Sequence, residues 1–217
     1  MDEKIPKPAF AIIGEPTMMQ VVTAHKGVLS FETVVSGFEC HSSQPELGVN
    51  AVQVACELVG FLTKLADEQQ KNGKRDERFS PAYSTVHVGT IEGGTARNII
   101  PKECRFQWEI RPIPGEDTDA LFARFETFCK ERAGKMKEVH KEAGIKTRPI
   151  SRMNPVALPG HATAARERVM RAAQSNQELA VAFGTEAGVF GEHGIPAIVC
   201  GPGNIEQAHK PNEFIET

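Results

Sequence analysis

Two residues with metal-ligand chemistry stand near opposite ends of this sequence. Glu15 lies in Gly14-Glu15-Pro16-Thr17, directly after the apolar run Ala9-Phe10-Ala11-Ile12-Ile13. His209 closes the stretch Gly201-Pro202-Gly203-Asn204-Ile205-Glu206-Gln207-Ala208-His209. Each follows a short apolar run that empties into a loop, which is where open α/β sheets place their sites. A carboxylate is a hard oxygen ligand and a neutral imidazole the commonest biological metal ligand, a pair that suits zinc. Each also has a plainer reading, Glu15 as a loop glutamate beside a turn and His209 as a surface histidine. Two ligands do not complete a catalytic zinc, which takes three from the protein and leaves one position open. The sequence contains no His-x-Asp, no Glu-Glu pair and no His-Glu-x-x-His to supply the rest.

Other positions could bind or polarise a substrate. His41, in Cys40-His41-Ser42-Ser43-Gln44-Pro45, ends a strand pattern and could donate a hydrogen bond to a developing oxyanion; a turn histidine is the alternative. Asn98 sits in the Gly93-Gly94-Thr95-Ala96-Arg97-Asn98 loop and could hold a substrate polar group, although a hairpin turn explains the glycines equally well. Arg111 ends an alternating strand and could grip a carboxylate with both arms, or be an exposed strand-end arginine. Gly184-Thr185-Glu186-Ala187-Gly188 offers free backbone donors and an acid for a substrate with carboxylate and ammonium groups. It reads equally as a helix start capped by Thr185.

The elements that must position these residues follow from periodicity. Leu29, Phe31, Thr33 and Val35 share one face of a half-buried strand from Gly27 to Val35. Val54, Leu58, Phe61, Leu62 and Leu65 recur at helical spacing from Asn50 to about Ala66, and polar residues from Asp67 to Arg78 read as a solvated loop. A strand is predicted from about Tyr83 to Ile91. In the next, Cys104, Phe106, Trp108 and Ile110 alternate with Arg105, Gln107, Glu109 and Arg111. Asp117 or Thr118 can cap a helix whose buried stripe is Leu121, Phe122, Phe125 and Phe128. A fourth strand falls near Ile145 to Ser151, a helix over Ala162 to Ser175 and a buried strand over Ile195 to Cys200. Strand, helix, strand, strand, helix, strand between residues 26 and 153 predicts a four-stranded antiparallel sheet covered by two helices on one face. Residues 1–25 and 154–217 read as pieces of one α/β domain that this α+β unit interrupts.

Bulk properties narrow the function classes. Apolar residues make up 40% and charged residues 24%, as in ordinary globular domains. A net charge of -3 gives no support to a nucleic-acid or acidic-membrane partner. No apolar run approaches a membrane span and no apolar core follows the first residues, so neither a membrane partner nor a signal peptide is expected. Five scattered cysteines include no Cys-x-x-Cys, and a reducing cytoplasm is the expected compartment.

Taken together and in order, Gly14 to Thr17, His25-Lys26-Gly27, His41 to Pro45 with Gly48 to Ala51, Gly93 to Pro101, Gly184 to Gly188 and Gly201 to Glu213 resemble one family. It is the acetylornithine deacetylase and succinyl-diaminopimelate desuccinylase family of two-zinc amidohydrolases. The resemblance implies an α/β catalytic domain, present in part, with an inserted lid that forms a homodimer. It implies that Glu15 is a ligand of one zinc and His209 of the other, with cobalt able to replace zinc. His41 would reach into the partner subunit's site and polarise the scissile carbonyl. Asn98 and Arg111 would meet the substrate carboxylate, joined by the Gly184, Thr185 and Glu186 loop.

The family's remaining ligands and its general base lie in an upstream segment that these residues do not include. The expectation is therefore a fragment, inactive alone, of an enzyme that converts N-acetyl-L-ornithine to L-ornithine and acetate. Another N-acyl amino acid or a dipeptide is the alternative substrate, and a non-catalytic dimerising remnant the alternative role.

Overall fold

The computed structural model describes residues 6–208 and 210–215. Two sheets organise them. The first takes its strands from both ends of the sequence: β1 (Ala11–Ile13), β2 (Val21–His25), β7 (Val156–Ala157), β8 (Glu178–Val181) and β9 (Ala197–Val199). Its order is β1-β9-β2-β7, with β8 also paired to β2. The second has the order β4-β5-β3-β6, with β3 (Val28–Ser36), β4 (Thr85–Gly93), β5 (Glu103–Arg111) and β6 (Gly144–Met153) all antiparallel. The helices are α1 (Ala51–Asn72), α2 (Thr118–Val139), α3 (Thr163–Ala172) and α4 (Ala187–Glu192).

The antiparallel sheet follows the alternation in its sequence. Leu29, Phe31, Thr33 and Val35 are buried along β3, as are Cys104, Phe106, Trp108 and Ile110 along β5. They pack against Leu58, Leu62 and Leu65 of α1 and Leu121 and Phe125 of α2 in one continuous core. Trp108 meets Phe125 edge-on at 4.7 Å and stacks on Phe31 at 4.5 Å. The one polar residue on the β3 stripe is satisfied. Thr33 Oγ1 accepts from Trp108 Nε1–H at 3.0 Å and shares a proton with Thr147 Oγ1 at 2.9 Å. Both helices start on side-chain caps: Asn50 accepts from the Gln53 N–H and Asp117 from the Ala120 N–H.

One expectation needs correction, and one strand had none. The polar stretch after Ala66 is not a loop throughout, because α1 runs on to Asn72. Leu65 and Gln69 extend its buried stripe by one turn, and the Gly73 N–H closes it on the Gln69 carbonyl. β2 was not legible at all. Val21–His25 is buried along its whole length, so it shows no alternation, and Thr23 and His25 lower its apolar character.

Candidate active-site cleft

The site is built where the two sheets meet. The loop after β1 carries Glu15 and Pro16, and the loop after β8 carries Phe183, Gly184, Thr185 and Glu186. Arg111 comes from the end of β5. With Glu213 they line a cleft of about 590 Å³. Five residues picked from the sequence, Glu15, Arg111, Gly184, Thr185 and Glu186, therefore share one cavity.

Local packing explains the glycines around it. β1 and β9 are parallel neighbours, with Ile13 opposite Val199, and the Cys200 N–H donates to the Ile13 carbonyl. The loops that follow lie against each other so closely that a Cβ on Gly201 would come 2.5 Å from the Glu15 carbonyl oxygen. A Cβ on Gly184 would meet Met153 Sδ at 2.7 Å, and one on Gly188 would meet the Asn154 carbonyl oxygen at 2.4 Å. Glycine at these places allows backbone to approach backbone and the cleft wall to close. Thr185 is buried and its Oγ1 accepts from the Ala187 N–H at 3.2 Å, an N-terminal turn contact; the short α4 begins at Ala187, with Glu186 at the cap position.

The charge of the cleft is mainly acidic. Glu15, Glu186 and Glu213 face one cation, Arg111, and that guanidinium is already held by Glu109 at 2.7 Å. Among the described residues no group of three or more His, Cys, Asp or Glu side chains is gathered for a metal. His209 lies outside the described residues. The described donors of the cleft are thus carboxylates that suit a hard cation, without the imidazole partners of a complete zinc centre.

His41 and Asn98 are elsewhere. His41 forms a β-bridge with Ile99, and the Ser42 N–H donates to the Asn98 carbonyl at 3.0 Å. The His41 ring nitrogen Nδ1 lies 2.7 Å from Ser43 Oγ and accepts from the Ser43 N–H, which leaves Nε2 pointing away from that turn. Both residues are exposed. They sit beyond the Glu103 end of β5, whereas Arg111 is at its other end. Nine residues of strand separate those ends by about 27 Å. Within one chain His41 does not reach the cleft.

Sequence reasoning gave no role to three residues at or near the site. Glu213 lines the cleft, and its only signal was membership of the Gly201 to Glu213 segment. His25 and Lys26 are buried at the junction of the sheets. The His25 Nδ1 pairs with the Lys26 carbonyl at 2.8 Å while Nε2 has no hydrogen-bond partner among the described residues. Burial holds the His25 imidazole below the usual histidine range.

Comparison with known proteins agrees with this architecture. A family model described as the peptidase dimerisation domain matches residues 23–137. Acetylornithine deacetylase of Myxococcus xanthus is 36% identical over 212 residues, covering 94% of this chain and 52% of that protein. The enzyme of the same name from Proteus mirabilis is 36% identical over 220 residues, covering 97% of this chain and 52% of its own length. The chain thus spans about half the length of these relatives. Among solved structures, aminopeptidase PepT of Bacillus cereus aligns with a TM-score of 0.67 at 17% identity, over 90% of this chain and 49% of that one. The YXEP protein of Bacillus subtilis, described as a dinuclear metal binding peptidase, aligns with a TM-score of 0.60 at 16% identity, over 95% of this chain and 51% of its own.

Proposed function

The chain belongs to the M20 peptidase dimerisation-domain family, and on that premise we propose that it is the lid and part of the catalytic domain of a metal-dependent amidohydrolase. The proposed substrate is N-acetyl-L-ornithine, released as L-ornithine and acetate. The observation that carries this reading is the cleft itself, where Glu15, Arg111 and the Gly184 to Glu186 loop converge from three elements. The names of relatives at 36% identity support the substrate.

In this reading Glu15, with His209, holds metal, and the other ligands and the general base belong to the part of the relatives' length that this chain does not span. The proposed metal is zinc, two ions per site, which when bound would supply an activated hydroxide and polarise the carbonyl. Arg111 meets the substrate carboxylate, for which it must share or exchange its contact with Glu109. Asn98 is a second candidate for that carboxylate. Glu186 and its loop face the ornithine ammonium, in a cleft whose acidic balance favours a cation. His41 donates to the oxyanion as it forms.

The distance between His41 and the cleft calls for a second copy, and the sheet offers two open edges. β6 carries Pro149, which has no N–H to donate, together with Lys146, Arg148 and Arg152; both edge strands pair to the sheet through a bulge. Proline and lysine are among the residues proteins use to protect an edge. β4 has neither proline nor lysine. Antiparallel pairing of β4 with its symmetry mate sets the partner's Gly93 end beside Thr85, which is paired with Arg111. The two β5 strands then stand three strand spacings apart, about 14 Å, against five spacings, about 24 Å, through β6. Pairing through β4 is the proposed homodimer.

The test is hydrolysis of N-acetyl-L-ornithine with metal supplied, by this chain alone and by a version that includes the remainder of the relatives' length. Turnover only in the longer protein is expected. Turnover by this chain alone would contradict the account of the ligands, and a preference for other N-acyl amino acids or dipeptides in a substrate panel would overturn the substrate.

A further inference from the structure

We infer that Lys26 is a positioning residue: by holding the Tyr83 carbonyl it fixes the strand end opposite Arg111 and so sets where the Arg111 guanidinium stands in the cleft. The inference rests on the proposed reading of Arg111 as the contact to the substrate carboxylate.

Lys26 is 1% exposed, an extreme value for a lysine. Its Nζ donates to the Tyr83 carbonyl at 2.6 Å and lies 6.0 Å from the ring centres of both Phe79 and Tyr83. Its backbone ties the two layers together: the Lys26 N–H donates to the Val181 carbonyl of β8, and the next N–H, of Gly27, to the Pro112 carbonyl after β5. Lys26 therefore stands on the first sheet and reaches into the loop that leads to β4.

That loop ends beside the strand end that carries Arg111. Tyr83 is followed by Ser84, fully buried, whose Oγ donates to Glu116 at 2.7 Å and accepts from the Ile113 N–H at 3.1 Å. Thr85 comes next and pairs with Arg111. Three consecutive residues are thus pinned, one by Lys26, one through Ser84 and one by the strand that carries Arg111. Packing alone does not call for an ammonium there. A methionine of similar length would fill the space without the cost of desolvating a charge. Burial and the nearby Arg111 cation both hold the Lys26 pKa below the usual lysine range, so the fold keeps this charge against opposition.

The experiment compares Lys26→Met and Lys26→Arg in the metal-loaded enzyme, on N-acetyl-L-ornithine and on its carboxamide counterpart, with hydrogen exchange read at residues 83–86. Lys26→Met is expected to raise KM for the carboxylate substrate about tenfold, the effect of weakening one charge-assisted hydrogen bond. It should leave kcat and the carboxamide reaction nearly unchanged and speed exchange at residues 83–86, and Lys26→Arg should restore part of the loss. Equal losses on both substrates would reduce Lys26 to a structural residue and overturn the inference, as would unchanged exchange with an unchanged KM ratio. A parent enzyme that does not distinguish the two substrates would instead sink the reading of Arg111, and this inference with it.

Discussion

The two sheets of this molecule are held together in different ways. The antiparallel sheet and its two helices share one continuous core that runs from Leu29 to Ala143 and is braced by stacked rings at Phe31, Trp108, Phe122 and Phe125. The mixed sheet has only small separate clusters, around Val21 and Ile198, around Val22 and Val199, and around Ala24 and Phe79. It also exposes Ile12, Met18, Met19, Phe214 and Ile215. One sheet is a self-contained unit; the other gathers loops around a cleft and leaves much of its apolar surface uncovered. Cleft and stability thus lie on different layers: most of the loops that line the cleft sit on the weaker layer, and the stronger layer supplies Arg111 and a distant histidine.

The most damaging change expected in the stronger layer is Phe125→Ala. Phe125 is fully buried against Trp108 and Phe61, and losing it should cost about 3–5 kcal/mol, seen as a lower denaturant midpoint. A loss below about 1 kcal/mol would break the contrast drawn between the cores. On the weaker layer, Gly201→Ala drives a Cβ into the Glu15 carbonyl and should cost about 1–3 kcal/mol of stability. It should also weaken the metal binding proposed for Glu15, measured by metal titration of the full-length enzyme; unchanged metal affinity would show that the loop carrying Glu15 is not set by this contact. Asp117→Ala removes the cap of α2 and should cost about 1 kcal/mol in urea unfolding without touching the cleft.

The pH dependence offers a smaller but sharper test. His25 is buried with its folded pKa depressed, so below its unfolded pKa of about 6.5 the unfolded chain binds more protons than the folded one. Its stabilising contribution is present above that pH and is lost as the pH falls toward the folded value. Melting temperatures should therefore decline between pH 7 and pH 5, and His25→Gln should flatten that decline. An equal slope in the variant would remove His25 from the acid response.

How much of this was legible in the sequence depended on which faces were buried. β3 and β5 cover a core on one side only, so Leu29, Phe31 and Val35, and Cys104, Phe106, Trp108 and Ile110, printed their alternation directly. β2 is buried throughout and β7 and β8 are two and four residues long, so no period could form. The last turn of α1 was hidden because Gln69, a polar residue, occupies its buried position. At the site, Glu15 and Arg111 were legible as strand-end residues and Gly184 to Glu186 as a loop with free backbone donors and an acid, and their meeting in one cleft was a matter of topology. Lys26 was not, because a lysine one residue past an unrecognised strand gives no sign that it is buried.

In the proposed homodimer His41 of one copy completes the cleft of the other. Mixing two variants of the full-length enzyme, His41→Ala and Glu15→Gln, tests this. If the sites are shared, each variant alone is inactive, and mixed dimers contain one cleft with its own Glu15 and the partner's His41. Roughly a quarter of the parent activity should then return, since half of the dimers in an equal mixture are mixed and each has one intact site. Failure to recover any activity, with mixed dimers demonstrably formed, would mean that His41 serves the cleft of its own chain, and an active His41→Ala variant that it serves none; either result would overturn the shared site.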